Sequence, residues 1–124
     1  QVSNILILDK MIEYFLNDLG IVFYTNMVRY PDVLSIQVLP IELKTLATSK
    51  LEYVKSQVPK FKFAKSNPIL EEITINQING VINFLWANDQ SHLWPSTIDF
   101  NHKLDVSRNS LVFEEITPEF KKFL

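Results

Sequence analysis

At 124 residues and a formal charge of −2 the chain has room for one domain and hardly for two, and its lysines and arginines are interleaved with acids, so it lacks the basic stripe that nucleic acid demands. The absence of cysteine excludes disulfides, a thiolate nucleophile, cysteinyl zinc and thiolate-held iron–sulfur clusters within the chain. A hydrophobic fraction of 47 % beside 21 % charged residues belongs to a globular chain, and no apolar run approaches the ~20 residues of a membrane span.

The opening residues carry no basic region and only a short apolar run, so no signal peptide is read and a cytoplasmic setting is expected. Residues 4–8 are apolar enough for a short strand. Asp9 is a plausible N-cap, and Met11, Ile12, Phe15, Leu16 and Leu19 then fall on one face of an amphipathic helix that Gly20 stops. Residues 21–28 are β-branched and aromatic without strict alternation, as in a strand of a parallel sheet buried on both faces. One or two such strands make no stable sheet. Either the other strands lie outside this chain, or the run packs on helices as an irregular segment.

Tyr30-Pro31-Asp32 reads as a turn, and Leu34, Ile36 and Val38 alternate with Ser35 and Gln37 as a short extended segment. Pro40 suits the first position of a helix whose buried face is Leu43, Leu46, Ala47, Leu51, Val54 and Val58, ending near Gln57. Residues 60–67 read as a loop or an edge strand blunted by lysines. Asn67-Pro68 starts a short turn through Glu72, and Thr74 with Gln77 has the form of a capping box for a helix carrying Ile75, Ile78, Val81, Ile82, Leu85 and Trp86. Gly80 inside that helix suggests a close helix contact. Trp94-Pro95 opens another helix that Asn109-Ser110 ends, and Thr117-Pro118 opens a last short one.

Little in these residues points to chemistry. His92 and His102 share no helical face, and the adjacent pairs Glu71-Glu72 and Glu114-Glu115 point apart on a helix. Asp105 and Arg108 are spaced to pair on one face, either as an exposed ion pair or as a docking contact. No phosphate loop, dinucleotide fingerprint, nucleophile elbow or zinc-helix motif occurs, and no nucleophile–base pair for a hydrolase or transferase can be nominated.

Three stretches in order carry a resemblance. The first is Gly20-Ile21, Asn26, Tyr30-Pro31, Leu34-Ser35-Ile36, Leu39-Pro40 and Lys44; the second is the helix over 78–86; the third is Phe100, Leu104-Asp105, Arg108-Asn109 and Pro118-Glu119-Phe120. Together they resemble the C-terminal portion of radical S-adenosylmethionine enzymes of the twitch-domain type. The resemblance implies an α/β fold, mainly helical. Residues 1–40 would be the last βα elements of a partial (β/α) barrel with the connecting turn, and residues 41–124 a helical C-terminal extension. It implies a fragment that closes the barrel and covers the substrate side. Alone it would be inactive, because the C-x-x-x-C-x-x-C loop is absent. S-adenosylmethionine and a [4Fe–4S] cluster would belong to the parent enzyme, with no cofactor in this chain.

The expected partners are then the missing N-terminal barrel or another protein, with a peptide as substrate, and neither nucleic acid nor membrane. In α/β folds ligands sit beyond the carboxyl ends of strands. This places Asn26, Arg29 and the backbone near Ser35 at the mouth of the parent barrel as candidate cofactor-binding residues. The alternative reading, from another class, is a small self-contained helical protein-interaction module with no enzymatic activity. It keeps the same helices and packs residues 21–28 against them.

Overall fold

The computed structural model describes residues 1, 3–21, 24–109 and 118–123, and among them every regular element is helical. Helix α1 (Leu8–Ile12) follows a 3₁₀ turn at Ile5–Ile7 and widens into a π turn over Glu13–Asp18. The others are α2 (Ile41–Gln57), α3 (Lys62–Ser66), α4 (Pro68–Ala87) and α5 (Trp94–Arg108). Further 3₁₀ turns lie at Asp32–Leu34, Ile36–Val38, Val58–Lys60, Ser91–Leu93 and Pro118–Phe123.

The centre of the molecule is the pair α2 and α4. Leu43, Ala47, Leu51 and Val54 line the buried stripe of α2, and Ile78, Val81 and Leu85 that of α4. These recur three and four residues apart, so each helix presents one continuous apolar face, and the two faces meet. Helix α1 packs on α2, α3 on α4, and α5 on the Asp32–Leu34 turn. The turn Pro118–Phe123 closes the far side. Phe120, fully buried, meets Trp94 edge-to-face with ring centroids 5.5 Å apart. The Trp94 indole N–H donates to the Phe123 carbonyl at 3.1 Å. Lys50 ties three parts of the chain together: its ammonium donates to the Leu6 carbonyl at 3.2 Å and lies 3.7 Å from Glu119.

The expected strands are absent among the described residues. Residues 24–28 run as irregular chain, and the Thr25 N–H donates to the Gln77 side chain on α4 at 2.8 Å instead of to a neighbouring strand. Val22 and Phe23 lie outside the described residues. The α/β assignment and the end of a partial barrel are therefore wrong. β propensity depends strongly on context, and here Ile21 and Tyr24 are exposed while Thr25, Met27 and Val28 are only partly buried. The hint of truncation drawn from unpaired strands loses its basis. Residues 5–8 form a 3₁₀ turn and the start of α1, not a strand.

Residues 34–38 also depart from the extended reading. They form parts of two successive 3₁₀ turns, and Ser35, Ile36, Gln37, Val38 and Leu39 are all buried, so no face alternates with solvent. Residues 60–67 are neither loop nor edge strand. They hold α3, which buries Phe63 and Ala64 behind a buried Phe61 and leaves Lys60, Lys62 and Lys65 outside. Helix α4 is continuous from Pro68, so Thr74 caps nothing. Its hydroxyl donates within the helix to the Leu70 carbonyl at 2.8 Å, the back-bond open to threonine in mid-helix. A Cβ on Gly80 would meet nothing within 4 Å, so no close helix contact explains it. Asp9 sits inside α1, one residue beyond its start, and the cap position is Ile7.

The expected ends of helices fare better. Gly20 has φ +65 where the first helix stops, and the Ile21 N–H turns back to the Phe15 carbonyl at 2.8 Å. Helix α2 ends at Gln57, Pro68 opens α4, Pro95 lies in the first turn of α5, and Asn109 ends α5 in the left-handed region at φ 54. Pro40 is one position earlier than expected: it is the cap of α2, and its carbonyl accepts from the Lys44 N–H at 3.0 Å. Glu114, Glu115 and Thr117 lie outside the described residues.

Candidate functional site

The start of α2, the end of α4 and the connection that follows α4 converge on one side of the molecule. Two bonds of Gln37, in the 3₁₀ turn just before α2, tie that turn to α4 and to the connection. The buried Gln37 amide donates to the Phe84 carbonyl at 2.9 Å, and the Gln37 backbone carbonyl accepts from the Gln90 N–H at 3.1 Å. The first satisfies a carbonyl in the last turn of α4, where intrahelical partners run out. Beyond α4, Asn88 is extended, and Asp89 turns the chain by accepting the Ser91 N–H on its carboxylate at 2.9 Å.

Between these elements lies an open cleft of about 200 Å³ lined by Ile41, Lys44, Trp86, Asp89 and Ser91. Trp86 is fixed in place: its indole N–H donates to the Thr48 hydroxyl at 2.8 Å, and that hydroxyl donates to the Lys44 carbonyl at 2.8 Å. The ring is still 44 % exposed, and Ile41 beside it is 63 % exposed. The Lys44 side chain, by contrast, is 5 % exposed; its ammonium lies 3.6 Å from the Asp89 carboxylate and 5.9 Å from the centre of the Trp86 ring. The Ser91 hydroxyl, then its N–H, and then the charge of Lys44 hold the Asp89 carboxyl below its usual range. The cleft thus joins a rigid aromatic face, an apolar edge and a shielded cation with an exposed carboxylate at its rim.

A second hollow of about 210 Å³ lies between the 24–27 segment and α1, with Asn4, Leu8, Met11, Tyr24 and Asn26 among its lining. The three residues expected at a barrel mouth are found in three different settings. Asn26 is exposed at this hollow. The Arg29 guanidinium lies over the Phe84 ring at 5.0 Å. Ser35 is buried, with its hydroxyl accepting the Gln37 N–H at 3.3 Å, so it serves the backbone of its own turn. No hydrogen bond or ion pair among the described residues joins the three. His92 and His102 are exposed, Asp105 is buried on α5, and Arg108 is exposed at its end.

Lys44, Trp86 and Asp89 were not singled out as a site by sequence reasoning. One signal for them was present. Lys44 stands three residues before Ala47 and seven before Leu51, so helical spacing already places a lysine on the buried stripe of α2. Nothing local pointed to Asp89, which reaches Lys44 only because the fold returns α4 alongside α2.

The chain has no cysteine, and the described residues contain no group of three or more histidine, aspartate or glutamate side chains placed to hold a metal ion. No helix among them is long and apolar enough to cross a membrane. With no strand among the described residues and no cluster ligands, the radical S-adenosylmethionine resemblance is overturned, and with it the twitch-domain, iron–sulfur and barrel-closing roles. Short motifs at turns and helix ends recur in unrelated folds because the same capping and turn chemistry selects the same residues. No family model, no curated protein and no solved structure matches the chain.

Proposed function

We propose that this chain is a small helical protein-interaction module without enzymatic activity of its own. The observation that carries the reading is Trp86. A tryptophan ring held by a hydrogen bond to Thr48, yet 44 % exposed at the edge of a cleft, is a pre-ordered anchor of the kind that dominates protein–protein binding energy. Ordering it costs nothing further on binding, because its rotamer is already fixed. Ile41 extends the apolar platform, and the Lys44–Asp89 pair gives it polarity and direction.

The test has two parts. Sedimentation and thermal melting of the purified chain are expected to show a monomer that unfolds cooperatively; aggregation or a broad, featureless melt contradicts a self-contained module. A photo-crosslinking p-benzoylphenylalanine is then placed at position 86 or at position 53, where the native tyrosine is 66 % exposed on α2 away from the cleft. Discrete adducts in cells are expected from position 86 alone. Equal labelling from both positions rejects the cleft as the recognition surface.

A further inference from the structure

We infer that the cleft at the start of α2 takes a carboxylate presented by a protein partner, an aspartate or glutamate side chain next to an apolar residue, with the Lys44 ammonium as its counter-charge. This rests on the interaction-module reading and names the chemistry that such a module recognises.

Lys44 is an incompletely used cation. An ammonium carries three donors. The Lys44 side chain is 5 % exposed, yet its contacts with described side chains are the Asp89 carboxylate at 3.6 Å and the Trp86 face at 5.9 Å. A charge-assisted N–H···O bond closes to roughly 2.7–2.9 Å, so the Asp89 contact is a loose ion pair that leaves donor capacity in the cleft. Asp89 is poorly placed to tighten it: the same oxygen already accepts the Ser91 N–H at 2.9 Å, and the side chain is 77 % exposed.

A second positive contribution comes from the backbone. Helix α2 begins after Pro40 with no side-chain cap, and its first ladder bond is Lys44 N–H to Pro40 carbonyl at 3.0 Å. The N–H groups of Ile41, Glu42 and Leu43 therefore lie before the ladder starts, and Ile41 is at the cleft. One ammonium and one helix end suit a singly charged carboxylate. A doubly charged phosphate or a nucleic-acid strand would want the clustered basic groups that this chain, at a net −2, does not offer. The rim decides the rest of the ligand. The exposed edges of Trp86 and Ile41 border the cation, so an apolar side chain next to the acid would be covered as the carboxylate enters.

The experiment is an NMR titration of the isotope-labelled chain with acetyl-Ala-Leu-Glu-Ala-amide and with its Gln counterpart. The Glu peptide is expected to shift the Trp86 indole and the Ile41 and Lys44 amides saturably, and the Gln peptide to bind about tenfold more weakly, a charge-assisted hydrogen bond's worth. Lys44→Met should abolish the difference between the two peptides. Asp89→Asn, an exposed and conservative change, should strengthen Glu-peptide binding a few-fold by removing the competing carboxylate. Equal binding of the Glu and Gln peptides to the wild-type chain overturns the proposal, and so does acetate binding as strongly as the Glu peptide, since the apolar rim would then contribute nothing. Failure here in a chain that melts as a cooperative monomer leaves the interaction-module reading standing; a chain that does not fold alone removes both.

Discussion

The α2–α4 pair and the segment over 32–39 bury comparable chemistry by opposite means. In the two long helices the backbone satisfies itself, so burial is a matter of side-chain spacing, and Leu51, Val54, Val81 and Leu85 fall on stripes. In the 32–39 segment two 3₁₀ turns leave backbone groups over, and five consecutive residues are buried whatever their polarity. There the side chains of Ser35 and Gln37 must do what the helical ladder does elsewhere. Regular elements tolerate apolar exchange; an irregular buried segment depends on particular polar atoms.

That contrast can be broken at either end. The largest effect is expected in the helices: Leu51→Ala, at a fully buried position, should lose about 2–5 kcal/mol in chemical denaturation with an unchanged slope. Leu51→Met should lose less than about 1.5 kcal/mol, because the volume is nearly conserved. The 32–39 segment should show the opposite tolerance. Gln37→Leu removes the donor to the Phe84 carbonyl while keeping apolar bulk, and should still lose about 1–3 kcal/mol. A neutral result there would mean that the segment is packed like a helix face and the distinction fails.

The two glycines sharpen the comparison further, since one is a stop and the other lies within a helix. Gly20→Ala should destabilise by about 1–2 kcal/mol, because a Cβ is unfavourable at φ +65. Gly80→Ala should stabilise by about 0.5–1 kcal/mol, since α4 accepts alanine there without contact. Opposite shifts of the melting midpoint are the readout. The smallest effect concerns Asp89. Its carboxyl titrates lower in the folded chain than its ordinary 3.8, so whatever stability it adds is present above that value and lost as pH falls through the folded value. Asp89→Asn should therefore lower stability slightly near neutrality and flatten the profile below about pH 4, where the difference from the parent chain disappears.

The same contrast explains how much could be read from the residues. The stripes of α2 and α4 were legible, as were the stops at Gly20 and Asn109, because spacing and left-handed turn chemistry are local. The 34–38 segment misled for a physical reason: Leu34, Ile36 and Val38 alternate, but a 3₁₀ turn pressed into a core buries Ser35 and Gln37 as well. The 21–28 run misled because a β-branched and aromatic composition does not by itself require a sheet: Ile21 and Tyr24 are exposed, and the Thr25 N–H is taken up by a side chain of α4. The cleft was half legible. Lys44 stood on an apolar stripe in plain view, while its meeting with Trp86 and Asp89 depends on the return of α4, which no local pattern encodes.

The clasp formed by Lys50 and the Pro118–Phe123 turn bears on how fast the molecule assembles. Leu6, Lys50, Trp94 and Glu119–Phe120 are gathered into neighbouring contacts although they are spread over nearly the whole chain. Bringing such distant residues together requires closing long loops before any of these contacts forms, an entropic cost that rises with the logarithm of loop length. A helical composition would ordinarily mean low contact order and microsecond-to-millisecond folding. Here the helices can form early, but the closure joins Leu6, Lys50 and Glu119 across most of the chain, so refolding should be slower than in an up-and-down bundle of the same length.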